Sequence, residues 1–177
     1  IPFYDKELIA LAAEKSGMSA DLLKEVDERA SNSLLYSLST GMVNLHTGTG
    51  PTLYNLPMND RLFIVQADLI KQFAKEGPCV IVGRCADYIL REQEDCLNVF
   101  IHASMAARAD RIVRLYGSSE KSPEKRLEEK DKRRRVYYKH YTDGDWGMSQ
   151  NYHLSLDSGI IGIQRCVDII SELAKTL

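Results

Sequence analysis

The chain has no residues spaced as metal ligands. Its four histidines (His46, His102, His140, His153) are scattered, and its four cysteines (Cys79, Cys85, Cys96, Cys166) contain no C-x-x-C pair. The histidines therefore read as isolated surface or core residues, and no metal site is expected. The cysteines read as reduced thiols, two of them small hydrophobes in apolar patterns, which suits a cytoplasmic protein. No apolar run approaches the ~20 residues of a membrane span, and the first residues are not a basic-then-apolar signal, so no membrane partner is expected. An excess of one charge is also missing: 23 Lys and Arg stand against 25 Asp and Glu, a net charge of -2. That balance excludes a global field that recruits nucleic acid or an acidic membrane, so any anion binding is local. There is no G-x-x-x-x-G-K-[ST] phosphate loop. The nearest imitation, Thr47-Gly48-Thr49-Gly50-Pro51, has no strand leading into it and reads as a flexible turn.

What is there is an alternation of short apolar runs with helical periodicity over 177 residues, enough for one domain with a proper core and a small mobile subdomain. The central run is Cys79-Val80-Ile81-Val82, which follows a Gly77-Pro78 stop and enters Gly83-Arg84-Cys85-Ala86-Asp87. Four apolar residues without alternation predict a strand buried on both faces of a parallel sheet. Ligand crevices of open α/β sheets lie beyond the carboxyl ends of strands, where a Gly lets backbone approach and an Arg grips phosphate, so Arg84 is a candidate anion ligand.

The chain opens on a strand-like tetrapeptide, Ile1-Pro2-Phe3-Tyr4, with Asp5 as a cap for a helix that stops at Ser16-Gly17. Ser19 caps a second, charged amphipathic helix. Residues 32–59 loosen into Ser, Thr, Gly and Asn, the composition of a loop or flap. Asp60 is expected to cap a helix with an apolar stripe of Leu62, Phe63, Val65, Leu69, Ile70 and Phe73. A short helix over 86–91 and a strand over 97–103 follow, and Ser104 then caps a helix that Gly117 ends. Ser122-Pro123-Glu124 starts a further helix, to about residue 140, that breaks into Lys132-Arg133-Arg134-Arg135. The loop at 142–147 holds the only Trp. A third strand over 152–157, a Ser158-Gly159 turn and a terminal helix over 160–177 complete the pattern, with Ile163, Val167, Ile170 and Leu173 facing inward. Strands alternating with helices predict βαβ units, an α/β fold with a parallel sheet.

Arginines carry the chemistry. Arg108, Arg111 and Arg114 fall three apart and share one helix side, a cationic strip fit for a polyphosphate. Phosphoryl transfer needs cations that position the donor and neutralise the transferring group, work suited to Arg. Interleaved Glu124, Glu128, Glu129 and Asp131 offer the plainer reading of a solvated ion-paired face. The Lys132–Arg135 basic run followed by Tyr137, Tyr138 and Tyr141 also has the make-up of a nucleic-acid groove, a reading weakened by those acids and by the net charge.

In series, Gly77-Pro78-Cys79-Val80-Ile81-Val82-Gly83-Arg84-Cys85-Ala86-Asp87, the strand before Ser104 and its Arg-bearing helix, Asp131-Lys132-Arg133-Arg134-Arg135-Val136-Tyr137-Tyr138, Asp145-Trp146-Gly147 and Tyr152-His153-Leu154 resemble the cytidylate kinase-like family of P-loop nucleoside monophosphate kinases. The resemblance covers nearly the whole chain. It implies a three-layer α/β domain over 1–177 with a parallel sheet of 2-3-1-4-5 order, in which residues 1–7 are similar to the second strand and the start of the monophosphate-binding segment. It further implies a monophosphate-binding flap near 19–59 and a lid near 104–147. By the same resemblance Asp5, Arg61 and Arg84 hold the acceptor, Arg108 holds the donor nucleotide, and Arg111, Arg133 and Arg134 stabilise the transferring phosphoryl group. ATP and Mg²⁺ are the implied cofactors, with a small nucleotide as partner; oligomeric state carries no signal.

The chain departs from the family pattern in three places. Where cytidylate kinases carry Asp-Ser-Gly after the second strand and Gly-Arg-Asp after the third, it has Asp5-Lys6-Glu7 and Gly83-Arg84-Cys85. The Ser and Asp that help read cytosine and sugar are thus missing. The family's first strand and glycine-rich loop also do not occur before Ile1, so about 20–25 further residues, the length of a strand, loop and short helix, are expected upstream. Two functions follow from the resemblance: an ATP-dependent phosphotransferase acting on a nucleoside monophosphate such as CMP, or a non-catalytic nucleotide-binding or regulatory module on the same fold.

Overall fold

The computed structural model describes residues 1–5 and 57–176. The helices expected after Asp5 and Ser19, and the flap up to residue 56, lie outside the described residues. The elements in chain order are β1 (Phe3–Tyr4), α1 (Met58–Glu76), β2 (Val80–Ile81), α2 (Ala86–Ile89), β3 (Val99–His102), α3 (Met105–Tyr116), α4 (Pro123–Thr142), a 3₁₀ turn at Ser149–Asn151, β4 (Leu154–Asp157), α5 (Ser158–Ile161) and α6 (Ile163–Ala174). Helices and strands alternate, and both strand pairs are parallel, which makes this a mixed α/β chain as the sequence predicts.

The described residues fall into two compact units, 1–5 and 57–92 with 136–143, and 93–135 with 144–176. In the first, Phe3 pairs with Val80 and Tyr4 with Ile81. Helix α1 buries Leu62, Leu69 and Ile70, and Phe73 stacks on Tyr4 with ring centroids 4.0 Å apart. Asp60 is not the cap of α1. Pro57 precedes the helix and its carbonyl accepts from the Asp60 and Arg61 amides at 3.0 and 3.1 Å, which leaves the Asp60 carboxylate free to bond elsewhere in the unit. Gln66 lies on the same helix face as the apolar stripe and is 1 % exposed. Among the described residues, neither its amide oxygen nor its nitrogen has a hydrogen-bond partner.

The strand at 79–83 is shorter than expected and is not buried on both faces. Val80 and Val82 are 47 % and 44 % exposed, because they project to one side of a two-stranded ribbon that no other described strand covers. The strand ends at Ile81, the Val82 amide still donates to the Tyr4 carbonyl at 2.9 Å, and the chain bends at Gly83.

In the second unit β3 and β4 pair in register from Val99↔Leu154 to His102↔Asp157. Ser104 caps α3 as the sequence predicts, its Oγ accepting from the Ala107 amide at 3.3 Å, and Gly117 ends the helix. Ser122 caps α4 in the same way, accepting from the Lys125 amide at 3.3 Å. The basic run does not break α4, which continues through Lys132–Arg135 to Thr142, since long straight Lys and Arg side chains are good helix formers. The terminal helix, by contrast, is interrupted at Gly162 into α5 and α6. Of the four residues expected to face inward, Ile163 and Val167 are 52 % and 48 % exposed and Leu173 is also exposed; Ile170 is half-buried. The break rotates α6 so that Cys166 is the buried position. All four cysteines are free thiols.

Candidate functional site

In the first unit the chain leaves β2 through Gly83, Arg84 and Cys85, which have φ of 73°, 56° and 57°. Three successive positive φ values are unusual. Glycine takes that conformation freely, whereas each of the other two costs about 1 kcal/mol. The turn is closed by the Ala86 amide donating to the Gly83 carbonyl at 3.0 Å. It places Arg84 just beyond the strand end in the chain and sinks Cys85 into the core at the start of α2. Burial, followed by the nearby Asp87 charge, pushes the Cys85 thiol up to about 12, so it is neutral at pH 7.

Two tyrosines from the end of α4 anchor the carboxylates beside the arginine candidates. Tyr138, buried, donates to Asp87 at 2.7 Å, and Tyr141 donates to Asp60 at 3.0 Å. In sequence, Asp60 adjoins Arg61 and Asp87 lies three residues beyond Arg84. Phe63 stacks on Tyr141 with centroids 3.9 Å apart, and His140 Nε2 lies 3.5 Å from Asp60. Burial and the Asp60 charge push the Tyr141 phenol well above its usual range, which keeps it a donor. These rings are committed to packing and hydrogen bonding rather than arrayed as a stacking strip for bases.

The second unit carries the arginine strip. An open cleft of about 260 Å³ lies at the carboxyl ends of β3 and β4, lined by Ile101, His102, Ala103 and Ala107, by Arg108, Arg111 and Arg114 from α3, and by Ser158, Gly159 and Ile163. Its floor is fixed by local bonds: Asp157 accepts from the Gly159 and Ile160 amides at 2.9 and 3.3 Å, and Ser158 Oγ donates to the His102 carbonyl at 3.0 Å. His102 Nδ1 lies 3.8 Å from Asp157. His153 accepts from the Asn98 amide at 3.2 Å, so each of the three described histidines has a polar neighbour. Each owes its neighbour to strand pairing or helix packing, which residue spacing does not show.

Arg108 does more than line the cleft. Its Nη1 and Nη2 donate to both oxygens of Asp131 at 2.7 and 2.8 Å, and Arg134 donates to the same carboxylate at 3.0 Å. Burial pushes the Asp131 carboxyl up, but its bonds to Arg108 and the charges of Arg108 and Arg134 outweigh this and hold it below the usual carboxylate range. The Arg134 guanidinium also lies 5.7 Å from the Trp146 ring, and Trp146 packs edge-on to Phe100 of β3 at 5.4 Å. The loop is seated there because Gly147 (φ 81°) lies so close to Phe100 that a Cβ would meet the ring at 3.2 Å.

Of the predicted residues, Arg108 and Arg111 line one cleft, and Arg134 joins Arg108 through Asp131. Arg133, one residue away, is exposed on α4. Asp5, Arg61 and Arg84 belong to the other unit, with Asp5 in a bend directly after β1. The sequence reading counted Asp131 among interleaved acids and at the head of the basic motif, but gave it no role. Its i,i+3 spacing to Arg134 was the available signal; its bond to Arg108, 23 residues away, had none.

An arginine-lined cleft beyond the carboxyl ends of two parallel strands is an arrangement suited to an anionic ligand. The model of the cytidylate kinase-like family matches residues 1–160, and the chain belongs to that family. A crystal structure of an uncharacterized protein from Eubacterium ventriosum ATCC 27560 is similar at TM-score 0.63 and 24 % identity, covering 96 % of this chain and 90 % of that one; that likeness concerns the fold alone. No curated protein matches the chain.

Proposed function

We propose that the chain is a phosphotransferase that moves the γ-phosphoryl group of ATP to a small acceptor, a nucleoside monophosphate such as CMP. The observation that carries this reading is the cleft bearing Arg108, Arg111 and Arg114 in a member of the cytidylate kinase-like family. Three guanidiniums beside an apolar wall of Ile101, Ala103 and Ala107 suit a polyphosphate attached to a base. In this reading Arg108 holds the donor, while Arg111, Arg133 and Arg134 neutralise charge on the transferring group. Asp5, Arg61 and Arg84 hold the acceptor. Among the described residues no group of three His, Cys, Asp or Glu side chains could cage a metal. Mg²⁺ would arrive on the nucleotide, ligated by phosphate and water.

The finer architecture belongs to the same proposal: one three-layer domain of 2-3-1-4-5 strand order over 1–177, with a flap near 19–59 and a lid near 104–147. It is supported by the parallel pairing of β1 with β2, the second and third strands of that order, and of β3 with β4, the fourth and fifth. A cytoplasmic location and the lack of nucleic-acid and membrane partners are likewise proposed. They rest on the free thiols, on the packed tyrosines, and on the finding that no helix among the described residues is long and apolar enough to cross a membrane.

The test is ADP release from ATP with a panel of ribo- and deoxyribonucleoside monophosphates. ADP with at least one acceptor is expected. ATP binding without ADP from any acceptor sinks the kinase reading and leaves the second one, a non-catalytic nucleotide-binding or regulatory module. One observation favours that alternative: the buried Cys85 thiol, pushed up to about 12, supplies no charge where the family pattern carries an Asp.

A further inference from the structure

We infer that Asp131 is a positioning residue, whose carboxylate sets the orientation of Arg108 and Arg134 as one pair of cations for an anionic ligand. The inference rests on the phosphotransferase reading and adds to it a residue that touches no substrate. Arg108 engages Asp131 as a fork on both oxygens at 2.7 and 2.8 Å, which fixes the plane of the guanidinium. Asp131 Oδ1 accepts at the same time from Arg134 at 3.0 Å. The carboxylate is buried, 7 % exposed, so it cannot release both partners without stranding a charge. On its other side Arg134 meets Trp146, which is itself seated on Phe100. The contacts therefore run without a gap from the cleft wall through Arg108, Asp131 and Arg134 to the β3 strand.

A purely structural tie would need only one arginine. Two guanidiniums on one carboxylate bring like charges together and leave an uncompensated positive charge, a cost that an arriving polyphosphate removes. Fixing both cations beforehand also spares their ordering at the moment of reaction.

The test compares Asp131→Asn and Asp131→Glu with wild type, reading kcat, donor KM and the emission of Trp146, the only tryptophan. Asp131→Asn is isosteric but loses the charge and half of the fork. Its kcat is expected to fall by about tenfold or more. Donor KM is expected to stay level or drop, because a negative charge has left the neighbourhood of the phosphates, and Trp146 emission to shift as Arg134 leaves the ring. Asp131→Glu keeps the charge but displaces it by one methylene, and its kcat is expected between the other two. Wild-type kcat and emission in Asp131→Asn overturn the inference, as does a fall confined to melting temperature and active fraction. If Asp131→Asn does not fold, full kcat and unchanged emission in Asp131→Glu overturn it instead. If wild type releases no ADP with any acceptor, the phosphotransferase reading falls, and Asp131 is decided by titrating Trp146 emission with inorganic tripolyphosphate. A wild-type response blunted in Asp131→Asn sustains the positioning role; equal responses, or an unresponsive wild type, end it.

Discussion

Arg108 and Asp131, 23 residues apart in sequence, form a two-bond fork of 2.7 and 2.8 Å inside the second unit. The pair makes that unit acid-sensitive. Asp131 has a folded-state pKa below its ordinary value of 3.8, so its contribution is complete above that value and is lost as pH falls through the lower, folded one. A thermal melt followed downward from pH 5 is expected to show a loss of stability below about pH 4 that Asp131→Asn lacks. At pH 7 Asp131→Ala, which leaves the half-buried Arg108 guanidinium without its carboxylate, is expected to cost about 2 kcal/mol by denaturant titration.

Cys85 follows two residues of positive φ and is 4 % exposed. A thiol is nucleophilic as thiolate, and with its pKa pushed up to about 12 Cys85 is protonated at any working pH. Alkylation with iodoacetamide at pH 8, mapped by peptide mass, is expected to modify half-buried Cys79 and Cys96 well before Cys85. Early modification of Cys85 under native conditions would show that the turn at 83–85 opens readily.

Among the described residues, neither polar atom of the Gln66 amide, on the buried face of α1, has a hydrogen-bond partner. An unmade hydrogen bond of this kind costs about 1–3 kcal/mol relative to an apolar side chain of similar size. Gln66→Leu is therefore expected to raise the melting temperature by several degrees, and Gln66→Met by somewhat less. A drop in both would mean that the amide is satisfied in solution.

How far the sequence carried the fold depends on how local the signal was. Ser104 and Ser122 cap α3 and α4 as their spacing predicts, because a cap bond spans only three residues. The stripe Leu62–Leu69–Ile70 is buried for the same reason: period 3.6 is a local property. The failures are tertiary. Val80 and Val82 read as doubly buried, but burial depends on which strands cover them. Asp60 read as a cap, yet Tyr141, 81 residues away, takes its carboxylate. The arginine strip of the candidate site was legible because Arg108, Arg111 and Arg114 sit on one helix. Asp131, which couples Arg108 to Arg134, was not, since an acid among acids has no periodicity to betray its partner.

Arg134 separates catalysis from binding most sharply. It is about half exposed, bonded to Asp131 and set against Trp146, and it is not among the residues lining the cleft. A cation in that position that acts on developing charge contributes to the transition state and little to ground-state affinity. Arg134→Ala is therefore expected to lower kcat by about 100-fold while changing the donor dissociation constant less than about threefold. Arg111→Ala, which removes a cleft residue, is expected to weaken nucleotide binding as well as turnover. The two are distinguished by single-turnover ADP formation measured alongside equilibrium ATP binding. If Arg134→Ala loses affinity and turnover in equal measure, Arg134 serves to hold the donor rather than to stabilise the phosphoryl group in transit.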